Sequence, residues 1–582
     1  KNAFNPLKKG SFLGVAFNPN KNIVYLSGGD EGSVIIYDYV QNKKIDSILL
    51  DGIFGGIKYE GSFTSDLIYE AKRNELLILD RGNFRLVRYS LDNKKIIASI
   101  ATGRQPFGLA ISPDQKTVLV ANVGMYAYPI VEGTTKENIQ SQYINWHPYG
   151  NNTKESIEGK VIDGKKIPGL GSPNADESMS VFVIDLATNK VKAKLKTGML
   201  LGELVEDAEV IGGASPNSIV MGTKFAYVTN ATNDNIAVID YKRGRIAKHI
   251  AIKVDQRIDK LRGLVPFGID LTKDEKYLFV ALLGFNAVAK IDLASEKTLG
   301  LIPTGWGTTR VKLSNDDKTI YVTSCRGLGA GPNGGKNFKI PAQGSYIGDI
   351  QLGSFQKIEN PSIDKLKAYT KQTIENTFIV KSQTDSLPLP VLPGSKESPI
   401  KHIVFITKEN RTFDEVFGQM KNIRGESNLA RFGIDVTVMD KTGIVKNVNV
   451  TPNHHKIAKQ FSLSDNFYCD SDASIHGHHW MMGVIPNEWV EANSSTEKTA
   501  DYFSTAPGRR FPGSTGSMDP EDYAEIGGLW EALDRKNISY YNFGQANETA
   551  HVREDWSDTA TGAAHIVMVP MQKGVWEKTS HN

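Results

Sequence analysis

Cysteine is almost absent: Cys325 and Cys469 are the only two in 582 residues. They lie in different segments and make no metal-ligand spacing, so neither a disulfide framework nor a cysteine metal site organises the chain. Long apolar runs are missing too. None approaches the ~18 residues that a membrane-spanning helix needs. Charge of one sign is also lacking, since 68 Lys and Arg face 65 Asp and Glu for a net +3. That balance argues against nucleic acid as a partner. Histidine is scarce where most of the chain lies: only His147 and His249 precede Lys401, and the other nine of 11 follow it. Chemistry that depends on imidazole is therefore expected in the last third. The length exceeds an ordinary single domain, so at least two are expected. The first residue is Lys1 rather than Met, which leads us to expect a processed or missing start, with any export signal or membrane anchor lost from view.

Repetition dominates the first 380 residues. A cue of the form P-x-G-φ-x-φ-S-x-D-x-K-x-φ-φ-V, with φ apolar, runs through Leu13–Leu26, Ser65–Leu79, Pro106–Asn122, Pro216–Thr229, Pro266–Ala281 and Thr308–Thr323. An alternating run follows each cue, as at Ser33–Tyr37, Val181–Asp185, Ile236–Asp240 and Ala287–Asp292. A closing strand then leads to Thr-Gly, at Thr102-Gly103 and Thr304-Gly305. The period of about 40–50 residues suits four-stranded propeller blades. Six blades are legible, and a seventh is expected from residues ahead of Lys1 or from the region to Phe378. The series resembles the YVTN family of β-propeller repeats, with Tyr227-Val228-Thr229-Asn230 and Tyr321-Val322-Thr323 close to the name.

Two blades carry insertions. Met125–Met179, with Trp146, His147 and Tyr149 near its centre, is long enough to serve as a contact surface for substrate or a protein partner. Gly327–Ser345 contains GAGPNGGKN, which fails as a phosphate-binding loop because Ala330 and Asn337 stand where Gly and Ser/Thr are required. It reads as a Gly-rich surface loop. Ile363–Thr377 reads as a short amphipathic or strand-like connector. Ser382–Pro399 gathers Pro and Ser and reads as a linker.

Beyond the linker the periodicity changes. Lys401–Gly418, KHIVFITKENRTFDEVFG, opens with a β-branched run, His402–Thr407, suited to one buried strand of a parallel sheet. Thr412 and Glu415 have the spacing of a capping box, and Phe413 and Phe417 lie four apart. Strand, turn, helix is the expected order. Glu409 and Asn410 then fall at a strand's carboxyl end, where open α/β sheets bind ligands, and both offer hard oxygen donors for a divalent cation. A second stretch, Thr451–Gly483, reads as a helix at Ile457–Phe461 and a strand at Leu463–Tyr468. An acidic turn at Asp470–Asp472 follows, then a small-residue turn opened by Ser474 ahead of His476, His478 and His479. Gly527–Phe543 reads as a further helix and a strand around Ile538–Tyr541. His402, His454 and His455 read as structural, capping or surface residues.

These two motifs resemble the phosphoesterase family that includes bacterial phospholipases C and acid phosphatases, within the alkaline-phosphatase superfamily. Glu409-Asn410-Arg411-Thr412-Phe413-Asp414 is similar to its E-N-R-[ST]-F-D signature. The resemblance implies that Glu409 and Asn410 bind a divalent metal ion (Ca, Mg or Zn). It implies that Ser474 is the nucleophile and a ligand of the same ion, with His478 beside the transferring phosphoryl group. A zinc cluster at His476–His479 lacks the Asp-His that such hydrolases require. A Ser-His-Asp hydrolase lacks the G-x-S-x-G elbow around Ser474. No D-D or D-H pair follows Ser474 to supply the superfamily's later metal ligands. Truncation at Asn582 is expected in preference to a deficient relative, because so few parallel strands would leave an edge and a face uncovered.

The expected architecture is multidomain: an all-β propeller over 1–380, a linker over 381–399, and the first part of an α/β alkaline-phosphatase-like domain over 400–582. The function implied is metal-dependent hydrolysis of a phosphate ester, with the propeller binding substrate or a partner. The alternative is a cell-surface binding or scaffold protein with an inactive second domain. Export to the periplasm, outer membrane or cell surface is what the resemblance implies for location.

Overall fold

The structure, a computed structural model, describes residues 12–127, 129, 131–133, 135, 153–162, 164–327, 352–377, 398–467, 474–483, 485, 489, 507, 520–543, 545 and 573–578. They fall into two compact units: residues up to Ile379 together with those from Ser471 on, and Val380–Asp470. Each unit is described by itself.

The first unit holds a six-bladed β-propeller. Blade one is Val15–Phe17, Ile23–Ser27, Ser33–Asp38 and Lys43–Leu49; blade two is Thr64–Glu70, Glu75–Asp80, Arg85–Ser90 and Lys95–Ala101. Blade three is Pro106–Ile111, Thr117–Asn122, Ser180–Asp185 and Lys190–Lys196; blade four is Pro216–Met221, Ala226–Asn230, Asn235–Asp240 and Arg245–Ala251. Blade five is Pro266–Leu271, Tyr277–Leu282, Ala287–Asp292 and Lys297–Pro303. Among the described residues blade six has three strands, Thr308–Leu313, Thr319–Ser324 and Ser354–Glu359. Instead of starting a seventh blade, the chain continues into the helix Ile363–Thr377. Leu366 and Ile374 of that helix are buried, and Thr370 Oγ1 accepts the Leu301 N–H at 2.8 Å on blade five.

Local chemistry sets each blade's last hairpin. The third strands of blades one, three, four and five end in Asp38, Asp185, Asp240 and Asp292, whose carboxylates accept backbone N–H groups two or three residues on, as Asp38 does from Val40 and Gln41 at 2.9 and 2.8 Å. Such Asx turns substitute for backbone hydrogen bonds in the bend. Asn42 and Asn189 then take positive φ, at 55° and 56°, where Asn is tolerated best after Gly. Asp38–Lys43 and Asp185–Lys190 share the sequence D-x-x-x-N-K.

The second strands of blades two and three are buried on both faces. Leu76–Leu79 and Val118–Ala121 are fully buried along their whole runs. Each such side chain contributes about 1.5–3 kcal/mol by leaving water. Charged pairs inside this core also join neighbouring blades. Arg85 Nε pairs with Asp80 at 2.7 Å and its Nη2 donates to the Leu50 carbonyl at 2.7 Å, joining blade two to blade one. Arg88 pairs with Glu75 at 2.7 Å and donates to the Leu186 carbonyl at 2.8 Å, joining blade two to blade three.

Because strands alternate direction, loops between second and third strands share one end of the propeller with the links from each fourth strand to the next blade. The insertion of blade three therefore rises from that end. The insertion of blade three contains a short helix, Lys154–Glu158, and a hairpin, Gly159–Ile162 with Lys165–Pro168. Trp146, His147, Tyr149 and the GAGPNGGKN loop lie outside the described residues.

The second unit is small. Its helix Phe413–Phe417 has the expected capping box, with the Glu415 carboxylate accepting the Thr412 N–H at 3.0 Å. A hairpin, Val436–Asp440 with Gly443–Val448, leads to the helix Pro452–Gln460. His455 is buried, packs on Phe417 at 5.7 Å and bonds the Val416 carbonyl through Nε2 at 2.6 Å. It is a core histidine, neither cap nor surface residue. The expected strand His402–Thr407 is not formed: Ile403, Val404, Phe405 and Ile406 are 85, 83, 64 and 78 % exposed, and no strand is assigned there. A parallel strand takes its hydrogen bonds and its cover from neighbours, and among the described residues of this unit none supplies them. Leu463–Phe467 likewise forms no strand.

Candidate active site

Glu409 ends the irregular run 401–409, Asn410 follows it ahead of the capped helix, and both have exposed side chains. The turn is held from behind. Arg411 stacks over Phe432 at 4.3 Å, and Arg431 pairs with the buried Glu415. Burial pushes the Glu415 carboxyl up, but the Thr412 N–H and the Arg431 guanidinium outweigh it and hold the group below the ordinary carboxylate range. The strand-to-helix turn expected from the sequence is thus present at its helical end, with Glu409 and Asn410 presented outward.

Ser474 is the first residue of a helix, Ser474–Gly483, where a small-residue turn was expected. The direction of its hydroxyl lies outside the described residues. Burial sorts the histidines of this helix. His476 and His479, three apart and so on one face, are buried, while His478 is half-buried. His479 Nε2 lies 3.5 Å from Asp522 Oδ2, whose side chain is fully buried. His478 Nδ1 lies 2.7 Å from the Gln545 side-chain amide nitrogen. The side chain chosen from the sequence is therefore the histidine of the three that remains partly open to solvent. Asp522 and Gln545 were missed, and no local signal could have found them: 43 and 67 residues separate them from their partners, and only the fold makes the pairing. Met482 on the same helix packs with Tyr523, Trp530 and Val575. Trp530 belongs to the helix Leu529–Arg535 expected from the sequence, although no strand forms at Ile538–Tyr541.

The two motifs fall in different units. Among the described residues no group of three or more His, Cys, Asp or Glu is arranged to hold a metal ion. Glu409 and Asn410 have the donor chemistry for a hard divalent cation, but two oxygens are only part of the six or more such an ion takes.

With this geometry in place, comparison with known proteins is informative for the later segment. The model of the Phosphoesterase family matches residues 400–507, a span that contains both motifs. No curated protein matches the chain. Among solved structures, a streptogramin B lyase is similar at 9 % identity, with 61 % of this chain and 85 % of that one covered and a TM-score of 0.35. Virginiamycin B lyase from Staphylococcus aureus gives 12 % identity, 54 % and 77 % coverage and a TM-score of 0.34. A functionally unknown protein from Desulfotomaculum acetoxidans gives 13 %, 52 %, 73 % and 0.33.

Proposed function

We propose that this protein is a phosphoric ester hydrolase in which Ser474 is the nucleophile. The observation that carries the proposal is the phosphoesterase match over 400–507, which takes in Glu409, Asn410, Ser474 and His478 together. Ser474 Oγ attacks phosphorus, the bond to the alcohol oxygen breaks, and the alcohol departs with a proton. Water then cleaves the phosphoseryl ester and frees phosphate. His478, half-buried beside Gln545, is suited to donate a hydrogen bond to a phosphoryl oxygen as negative charge grows there.

Metal dependence belongs to the proposal. The family is generally metal-dependent, and Glu409, Asn410 and Ser474 are the residues of this chain that would hold the ion. When bound, a divalent cation supplies positive charge for the phosphoryl oxygens and lowers the pKa of a coordinated hydroxyl. Residues 1–380, 381–399 and 400–582 are proposed as propeller, linker and hydrolase segment. Export beyond the cytoplasm is proposed on the same family resemblance.

Hydrolysis of an aryl phosphate by the full chain and by Ser474→Ala tests the reading. The variant is expected to lose several orders of magnitude in rate with unchanged circular dichroism. Undiminished turnover in the variant would remove Ser474 from the mechanism. Chelation of divalent ions is expected to abolish the wild-type rate.

A further inference from the structure

The propeller end that carries the blade-three insertion is occupied by the chain's own later residues. Trp489 is buried in the central cluster with Phe107, Tyr126, Val265 and Phe267, and the Arg81 guanidinium lies 5.2 Å from its ring centroid. Glu521 Oε1 accepts the N–H groups of Met125 and Tyr126 at 2.8 and 3.1 Å, at the start of the blade-three insertion. The Glu525 carbonyl accepts the Ile211 N–H at 2.8 Å, from the link between blades three and four. Its carboxylate accepts the Asn233 amide at 2.7 Å and pairs with Arg262, from blade four and the link to blade five. Gly212 permits this approach, because a Cβ there would lie 2.2 Å from the Tyr523 carbonyl oxygen.

The same short segment faces the other way onto the histidine helix. Asp522, between the two anchoring glutamates, reaches His479, and Tyr523 packs on Met482. Gly528, three residues beyond Glu525, sits so close to the helix that a Cβ would lie 2.3 Å from the Met482 carbonyl oxygen. One continuous set of contacts therefore runs from blades three and four and the link to blade five, through 521–525, to the helix that begins with Ser474 and bears His478.

We propose that this end of the propeller is an internal platform that fixes the histidine helix, with Glu521 and Glu525 as positioning residues, and that it does not serve as a free surface for a partner. The catalytic part of this inference rests on the reading of Ser474 as nucleophile; the positional part does not. Glu521 accepts two N–H groups of buried residues and Glu525 holds the half-buried Asn233 and Arg262, so their removal loosens the segment while leaving the blades' own ladders intact.

Amide hydrogen exchange on the full chain tests the positional part, with Glu521→Ala and Gly212→Ala as independent lesions. Protection of residues 474–483 is expected to fall roughly ten- to a hundredfold in both, while Leu76–Leu79 in blade two keeps its protection. An unchanged helix in both variants overturns the proposal. So does a loss that reaches Leu76–Leu79 in both, because the contacts would then serve the whole fold. Aryl phosphate kinetics test the catalytic part: kcat is expected to fall with KM unchanged in Glu525→Ala, and Glu525→Gln, which keeps an acceptor for Asn233, is expected to recover part of it. Loosened exchange with kcat unchanged would contradict only the link to Ser474, as would full activity in Ser474→Ala.

Discussion

The propeller and the stretch from 398 to 467 treat the same kind of residue in opposite ways. In blade two, Leu76–Leu79 is apolar and wholly enclosed; in the other unit, Ile403–Ile406 is as apolar and almost wholly exposed. Both are runs that favour strand. The difference is in where each finds its neighbours. A blade pairs with its own adjacent strands and packs against the next copy of the same repeat, so every run meets partners encoded a few residues away. A strand of a parallel sheet depends on partners brought by crossover connections from far along the chain. Local sequence reports the tendency in both cases and the cover in only one.

That contrast is sharpened most by breaking the enclosed side. Asp80→Ala leaves the Arg85 guanidinium buried without its carboxylate and removes the acceptor for Ser62, Phe63 and Asn83. Loss of about 3–5 kcal/mol is expected, seen as a lower midpoint in denaturant unfolding. A loss under about 1 kcal/mol would mean that this buried pair does not behave as an enclosed one.

A smaller effect is expected from pH. Burial pushes the Asp234 carboxyl up to about 7, with Glu525 nearby adding to the shift. Its folded-state pKa lies above the unfolded value, so its contribution is complete below about pH 4 and is lost as pH rises through about 7. Glu525, also raised by burial, acts in the same direction. Asp234→Asn, which keeps an acceptor oxygen and tolerates the positive φ of 48° at this position, should flatten the fall in stability over that interval. An unaltered slope would show that Asp234 does not carry it.

The smallest effect should come from the exposed run. Phe405→Ser removes a large apolar side chain that is 64 % exposed, and the change in stability is expected to stay within about 0.5 kcal/mol. Leu77→Ala in blade two is the control, with about 2–5 kcal/mol expected. Equal losses from the two would abolish the comparison.

Legibility in the sequence followed the same division. The recurring cue and the alternating runs ending at Asp185, Asp240 and Asp292 marked the blades, because each turn that follows is made by that carboxylate. The Thr412–Glu415 box was equally local. The histidine helix was misread as a turn, since Ser474, Gly477 and Gly483 are poor helix formers, Gly by about 1 kcal/mol each. What offsets them is tertiary: His479 against Asp522, and Met482 against Tyr523 and Trp530. Ile363–Thr377 became a helix for a similar reason, through the seat that blade five gives Leu366 and Ile374. The grip of Glu521 and Glu525 on the propeller joins residues more than 260 apart and has no local signature.

The account turns on the claim that the histidine helix belongs with the propeller. Cutting the full chain at a protease site placed within 381–397, followed by size-exclusion chromatography without denaturant, tests it directly. Buried Trp489 and the clasped Glu521 and Glu525 predict that the later fragment elutes with the propeller after the cut, and that Gly212→Ala weakens this retention. Clean separation of the two fragments in the wild-type protein would contradict the account.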